Sequence, residues 1–337
     1  MRFLLLPISF FYHIVLTIRH KLYDWHFLRS KGFEQPVICV GNLALGGTGK
    51  TPHVEYLINL LKEQHRVCVV SRGYGRKTKG FQLANTGCGF ETIGDEPMQY
   101  VGKFSDVMVA VDENRNRAIE LMNTMDRPPE VYLLDDAFQH RSTQAGLNIL
   151  LTAYDKLYCD DHLVPAGTLR DIRSAARRAD LIIVSKAPSD LDEMKKAEVI
   201  GKLNPLSHQR VFFSSLEYSH PEPANTVLLF CGIARHKPLV EELKRRYPHV
   251  EVMAFPDHHP YTQKDIETIL ERYQKLKGEK KIILTTEKDL ARLTNSPYLC
   301  QFDLLPLSTV SITVRIDEEE KFNEEILRYV RKNAHYG

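Results

Sequence analysis

Past residue 35 the chain alternates short runs of β-branched and aliphatic residues with stretches of helical spacing. VICV (37–40) is the first such run. After Thr51, residues Val54, Leu57, Ile58 and Leu61 recur at helical intervals, which predicts an amphipathic helix. RVCVVS (66–71), DVMVAV (106–111), VYLLDD (131–136), LNILLT (147–152) and LIIVS (181–185) are further strand candidates. Continuous apolar runs between helices predict an α/β fold with a mostly parallel sheet covered on both faces. A second β–α series starts near residue 210. VFFSSLEY (211–218) alternates like a half-exposed strand, and TVLLFCGIA (226–234), VEVMAF (250–255), KIILTT (281–286) and TVSITVRI (309–316) follow. The last helix turns Phe322, Ile326, Leu327 and Val330 inward, with acids at its start and Arg331 and Lys332 at its end, which suits its dipole. A domain boundary is expected around 205–220, near Asn204-Pro205 and the Pro221/Pro223 pair.

Residues 3–18, FLLLPISFFYHIVLTI, form the most apolar stretch. It is shorter than the roughly 20 residues of a spanning helix and contains Pro7, Ser9 and His13. Arg2, Arg19, Lys21, Arg29 and Lys31 flank it, opposed only by Asp24. No small-x-small cleavage site follows, which argues against a secretory signal. Two readings fit: a helix buried in the core, or an interfacial helix on an anionic membrane surface. The whole chain gives a flatter picture. Its 337 residues are 43% hydrophobic, with 45 basic and 43 acidic side chains and a net charge of +2. This excludes a wholly disordered, collagenous or polytopic chain and gives no global support for nucleic acid binding. The six cysteines lack any CxxC pairing and read as reduced thiols in a cytoplasmic protein.

The clearest chemistry lies at ALGGTGKT: Ala44, Leu45, Gly46, Gly47, Thr48, Gly49, Lys50 and Thr51. A strand precedes it and an amphipathic helix follows, as a phosphate-binding loop requires. Its glycines let backbone N–H groups wrap a phosphate at the helix N-terminus. Lys50 would reach the β- and γ-phosphates, and the Thr51 hydroxyl would bind Mg²⁺. VYLLDD supplies the metal-side carboxylates, Asp135 and Asp136, at the end of an apolar strand. Beyond them, DDAFQHR (135–141) places His140 close to the metal end. SRGYGR (71–76), with Arg72 and Tyr74, is expected as a loop at the C-terminal edge of the sheet, where ligands bind in open α/β folds.

Other clusters are weaker when read alone. GDEP (94–97) is a helix-start signal. PAGTLRDIRSAARRAD (165–180) predicts a helix with Arg170, Arg173 and Arg177 on one face, either a solvated basic face or a phosphate clamp. PDHHPY (256–261) suits an orienting histidine better than a metal site, because further ligands are missing. TTEKD (285–289) fits a capped helix start or a nucleotide-facing loop.

Taken in order, VGNLALGGTGKTP, SRGYGR, GDEP, DDAFQHR, PAGTLRD, PDHHPYT and LTTEKD resemble the signature blocks of the tetraacyldisaccharide 4′-kinase family of lipid A synthesis. The resemblance spans nearly the whole chain. It departs at Ala137, where the family usually has Gly, and at Asp171, where it usually has Glu. It implies a P-loop kinase domain at 31–210 after an N-terminal membrane-interfacial region at 1–30. A smaller α/β lobe at 211–337 would be joined through two hinge strands, near 211–218 and 309–316. It implies transfer from ATP, with Mg²⁺, to the 4′-hydroxyl of a tetraacylated disaccharide 1-phosphate, at the cytoplasmic face of the inner membrane. Asp95 would be the base on the sugar hydroxyl, paired with His258. Lys50 and Arg170 would contact phosphates, and Thr51, Asp135 and Asp136 would serve the metal. Arg72, Tyr74, His140 and Asp171 are candidates for substrate contact. No nucleic acid and no obligate protein partner is implied.

A membrane-associated P-loop ATPase or GTPase switch is the competing class. The lack of an NKxD motif speaks against guanine, and a switch would hydrolyse nucleotide without an acceptor. A soluble small-molecule kinase with a core N-terminal helix is a third.

Overall fold

The computed structural model describes residues 5–219, 223–233, 236–257, 259–294 and 296–333. In chain order the elements are α1 (Leu6–Asp24), β1 (Val37–Asn42), α2 (Lys50–Leu61), β2 (Val67–Ser71), β3 (Gln82–Leu83), α3 (Phe90–Ile93), α4 (Asp95–Lys103), β4 (Met108–Val111), α5 (Arg115–Met122), β5 (Val131–Asp135), β6 (Leu147–Ala153), β7 (Leu181–Ser185) and α6 (Glu193–Leu203). Then come β8 (Arg210–Tyr218), β9 (Thr226–Cys231), α7 (Lys237–Arg246), β10 (His249–Ala254), α8 (Gln263–Lys275), β11 (Lys281–Thr286), α9 (Glu287–Thr294), β12 (Leu307–Val310), β13 (Ile312–Ile316) and α10 (Glu319–Asn333).

The larger sheet has nine strands in the order β13-β8-β7-β6-β1-β5-β2-β4-β3. It is parallel except at its edges, where β13 and β3 run antiparallel to their neighbours. Alternate residues of the central strands feed opposite cores. Ile38, Val40, Val69, Leu133 and Ile149 pack with α2 and α10. Cys39, Val70, Tyr132, Leu134 and Leu150 pack with α5 and with Leu16 of α1. Burial on both faces is why these strands read as unbroken apolar runs. The smaller sheet, β10-β9-β11-β12, is wholly parallel. Leu239 and Leu243 of α7 cover one face, and Ile266 and Ile269 of α8 the other.

β8 belongs to both neighbourhoods. Residues 210–213 pair with β7, while 214–218 pair with β13. The resulting two-stranded ribbon leads into and out of the smaller sheet. The run 309–316, expected as one strand, is divided: β12 joins the small sheet and β13 the ribbon. At the division the Ser219 N–H donates to the Ser311 carbonyl, and the Ser311 N–H donates to the Ser219 hydroxyl.

The expected lobe at 211–337 also needs correction. α10 returns to the larger sheet, with Phe322, Ile326 and Val330 fully buried beside Leu57 and Phe212. Phe322 meets Phe212 edge-on with ring centroids 5.3 Å apart. The Tyr329 hydroxyl bonds to both the N–H and the C=O of Val37. The small lobe is therefore a unit of about 226–310 inserted between β8 and β13.

α1 is not a core helix. Only Ser9, Leu16 and His20 are buried along it. Phe10 is 62% and Phe11 69% exposed, and Ile8, Val15, Ile18, Trp25 and Phe27 are exposed as well. A contiguous apolar surface of this kind marks an interaction face. Among the described residues, no helix is long and apolar enough to cross a membrane.

Candidate active site

The phosphate loop runs from β1 to the N-terminus of α2, at the C-terminal edge of the large sheet. Gly49 immediately precedes α2 with φ +83°, a left-handed backbone that favours glycine. Side chains from several elements hold the loop open. Asn42 Nδ2 donates to Thr48 Oγ1 at 2.9 Å. Ser185 Oγ donates to the Thr48 carbonyl at 2.7 Å, and Lys186 Nζ to the Gly47 carbonyl at 2.5 Å. His53 spans the Gly49 carbonyl (2.7 Å) and Ser214 Oγ on the ribbon strand (2.9 Å). Burial pushes the His53 ring down to about 4, so it sits neutral between those partners.

β5 pairs beside β1, with Asp135 in register with Val40, so both acids arrive next to the loop. The two differ sharply. Asp136, with φ +50°, accepts from both Arg170 nitrogens and lies 3.6 Å from Lys50. Burial alone would raise its carboxyl, but Lys50 and Arg170 outweigh that and hold it low. Asp135 is buried. Its Oδ2 accepts from the Tyr100 hydroxyl at 3.1 Å, and its Oδ1 has no hydrogen-bond partner. Burial, then Glu96 and Asp136, push it up to about 7. A buried carboxylate oxygen without a donor, beside a second acid, fits a divalent cation held by one or two carboxylates and substrate oxygens. Among the described residues, no group of three or more Cys, His, Asp or Glu could form an all-protein cage. Ala137 is tolerated because the left-handed turn falls one residue earlier, at Asp136.

A basic group lies beyond the acids. Arg115, the first residue of α5, is buried, and its guanidinium is lowered to about 10 by burial and by Arg72. Burial, then Arg115 and Arg72, push His140 down to about 4. Tyr74 is exposed on the same loop as Arg72. Asn42 Oδ1 accepts from Arg170 Nη2 at 2.6 Å, tying that arginine to the loop as well.

The 165–180 stretch is not one helix. Asp161 accepts from the backbone and hydroxyl of Thr168 and from the backbone of His162, which fixes an irregular loop. Only Arg173–Arg178 form a 3₁₀ turn. Arg170 therefore faces the acids, Arg173 caps the Asp161 carbonyl, and Arg177 is exposed. Asp171, expected at the substrate, is fully buried instead. It bonds His20 Nε2 of α1 at 2.6 Å and lies 3.6 Å from Arg178.

α1 is wired to the same place. Arg19 donates to the Gln139 carbonyl at 2.9 Å, and Gln139 Nε2 donates to the Asn42 carbonyl at 2.6 Å.

Asp95 opens α4 and is buried. Gly94 before it has φ +92°, and a Cβ there would stand 2.7 Å from the Tyr74 carbonyl. That close approach brings GDEP against the SRGYGR loop. Across from it, α9 of the small lobe brings Arg292 to Asp95 at 2.8 Å. Lys288 approaches Glu96 at 3.4 Å, and Lys103 bridges Glu55 and Glu287. His258 lies outside the described residues. Asn42, His53, Tyr100, Arg115, Lys186 and Arg292 escaped the sequence reading. Each is a lone polar residue with at least one partner distant in the chain, such as Arg170 for Asn42 and Ser214 for His53.

A family model described as tetraacyldisaccharide-1-P 4′-kinase matches residues 1–331. A tetraacyldisaccharide 4′-kinase of Bacteroides thetaiotaomicron is 44% identical over 98% of this chain and 93% of its own length. One from Flavobacterium johnsoniae is 42% identical over 99% and 98%. Among solved structures, LpxK from Aquifex aeolicus in complex with ATP is similar at a TM-score of 0.75 and 31% identity, over 98% of this chain and 99% of that one.

Proposed function

The chain belongs to the tetraacyldisaccharide-1-P 4′-kinase family, and from that premise we propose how its residues carry the reaction. It is an ATP-dependent kinase that phosphorylates the 4′ position of a lipid A precursor, and membership in this family disfavours a hydrolytic switch. The acceptor is the tetraacylated glucosamine disaccharide 1-phosphate. The loop Ala44–Thr51 wraps the ATP phosphates, with Lys50 on the β- and γ-groups. Thr51, Asp135 and Asp136 would hold Mg²⁺, which supplies charge neutralisation on the phosphates when bound. The observation that carries this reading is the buried Asp135 carboxylate oxygen without a donor, beside an Asp136 already paired with Lys50 and Arg170.

Asp95 accepts the proton of the sugar 4′-hydroxyl as that oxygen bonds the γ-phosphorus and the bond to ADP breaks. His258, which the family resemblance pairs with this base, lies outside the described residues. Lys50 and Arg170 offset charge on the transferred group. Arg72, Tyr74 and His140 contact the acceptor, with Arg115 adding positive charge. Asp171 acts at a distance, anchoring α1 to the segment that carries Arg170. The exposed apolar face of α1, flanked by Arg19, Lys21, Arg29 and Lys31, suits peripheral seating on an anionic bilayer at the cytoplasmic face of the inner membrane. The kinase lobe is 31–218 with 312–333, and the small lobe 226–310.

The test is incubation of folded enzyme with γ-labelled ATP, Mg²⁺ and the acylated disaccharide 1-phosphate. Label is expected in the lipid, with little ATP hydrolysis when acceptor is omitted. Folded protein that leaves the lipid unlabelled sinks the proposal.

A further inference from the structure

The small lobe reaches the site through one buried arginine that the reaction as described does not use. Arg292 lies on α9, and its side chain is 3% exposed. Its Nη2 donates to Asp95 Oδ2 at 2.8 Å, and Nε reaches the same oxygen at 3.3 Å. Its Nη1 donates to Asp289 Oδ1 at 2.9 Å and to the Gly232 carbonyl at 3.0 Å. The guanidinium is thus locked on one side by the small lobe and presents its other side to Asp95.

Its mount is rigid in turn. Asp289 is wholly buried and also accepts from the Gly232 N–H (3.0 Å), the Tyr261 hydroxyl (3.0 Å) and Thr286 Oγ1 (2.6 Å). Charges with this many fixed donors hold their geometry, whereas a lone surface pair does not. Asp95, by contrast, sits at the first turn of α4, whose start bends sharply at Gly94.

We propose that Arg292 is a positioning residue for Asp95: it fixes the rotation of that carboxylate, so the base is aligned only while the small lobe is seated on α4. This rests on the reading of Asp95 as the base. A base carboxylate must meet the hydroxyl proton within hydrogen-bond reach, and misalignment costs rate without costing nucleotide affinity. The nucleotide loop is built from the large lobe and the ribbon, so it does not depend on this contact. The other bridges between α4 and α9 are generic by comparison. Glu287 and Lys103, 3.0 Å apart, join the lobes without touching Asp95.

The experiment compares Asp95→Asn, Arg292→Met, Arg292→Lys, Glu287→Gln and the Asp95→Asn/Arg292→Met double variant in the lipid-labelling assay. Thermal unfolding is followed for each. The proposal expects Arg292→Met to lower kcat about 10²-fold while the KM for ATP stays within about threefold. Asp95→Asn should lose at least as much, the double variant no more than Asp95→Asn, and Glu287→Gln less than about twofold. Arg292→Lys keeps the charge but cannot reach Oδ2 through two nitrogens, so its kcat should also fall. If Arg292→Met does not fold, Arg292→Lys decides: a lower kcat at unchanged KM for ATP supports the proposal, and wild-type kcat overturns it. Wild-type kcat in folded Arg292→Met, with Asp95→Asn impaired, overturns the role of Arg292 and leaves the base reading intact. Equal losses in Arg292→Met and Glu287→Gln overturn it as ordinary lobe packing. Full kcat in Asp95→Asn removes the base reading and this inference with it.

Discussion

The nucleotide end and the acceptor end of the site are built on opposite plans. The phosphate loop is one continuous segment, braced by Ser185, Lys186 and His53 through short bonds to its backbone and by Asn42 through the Thr48 hydroxyl. Asp95 is braced by a charge from another lobe, nearly two hundred residues later in the chain. A loop held by backbone geometry is ready before any ligand arrives. A carboxylate held by a lobe contact is fixed only when two bodies meet. Specificity for the acceptor can therefore be coupled to lobe position, while ATP binding need not be.

Four measurements would break or sharpen that contrast. The largest effect is expected at the nucleotide end: Lys50→Ala should lower kcat/KM by about 10³-fold or more and weaken ATP binding as well. Nucleotide titration and turnover together check it, and a variant that loses only acceptor affinity contradicts the assignment. Asp95→Ala should reduce kcat by about 10²-fold or more while ATP affinity changes less than about twofold. Parallel loss of ATP affinity would erase the distinction between the two ends.

The third measurement concerns pH and the acids. The Asp135 carboxyl is raised to about 7, so between the usual carboxylate range and pH 7 the folded protein binds more protons than the unfolded chain. Its contribution to stability is greatest at low pH and is lost as pH rises through that window. His53, lowered to about 4, contributes in the opposite sense, with stability gained as pH rises from about 4 to its usual value. The informative quantity is thus a difference. Ligand-free Asp135→Asn should gain on the wild type by at most about 1.4 kcal/mol per pH unit across the window, read by denaturant titration. A pH-independent difference would mean that Asp135 is not held neutral. The smallest effect is expected farthest from the chemistry: Phe11→Ser should weaken partition onto anionic vesicles by about tenfold, without changing ATP affinity. Unchanged vesicle binding would remove the exposed face of α1 from the membrane.

The same contrast governs what could be read from the chain. The phosphate loop, its strand and the Asp135/Asp136 pair are local patterns, because their function needs neighbouring backbone. Unbroken apolar runs gave away the parallel strands for a similar reason, since burial on both faces leaves no polar position. Residues 165–180 misled because three- and four-residue arginine spacing suits a helix, while Asp161 captures the Thr168 backbone and prevents one. The run at 309–316 misled because nothing in TVSITVRI marks where one sheet hands over to another. Arg292 was invisible: an arginine in a polar helix carries no local sign that its partner is Asp95. The roles proposed for Asp95 and His258 rest on the family resemblance, because spacing alone offers none.

The return of α10 to the large sheet has a consequence for how the protein is made. Synthesis proceeds from the N-terminus, and domains commonly fold as they emerge. Here the strands of the nucleotide lobe emerge first, yet Phe322, Ile326 and Val330, which seal one of its faces, emerge last. The inserted lobe can complete its own four-stranded sheet while its host still has an open apolar flank. The nascent kinase lobe thus passes through a stage with an unsealed hydrophobic face on the side of the sheet opposite α1, and release of the final helix ends its exposure to misassembly.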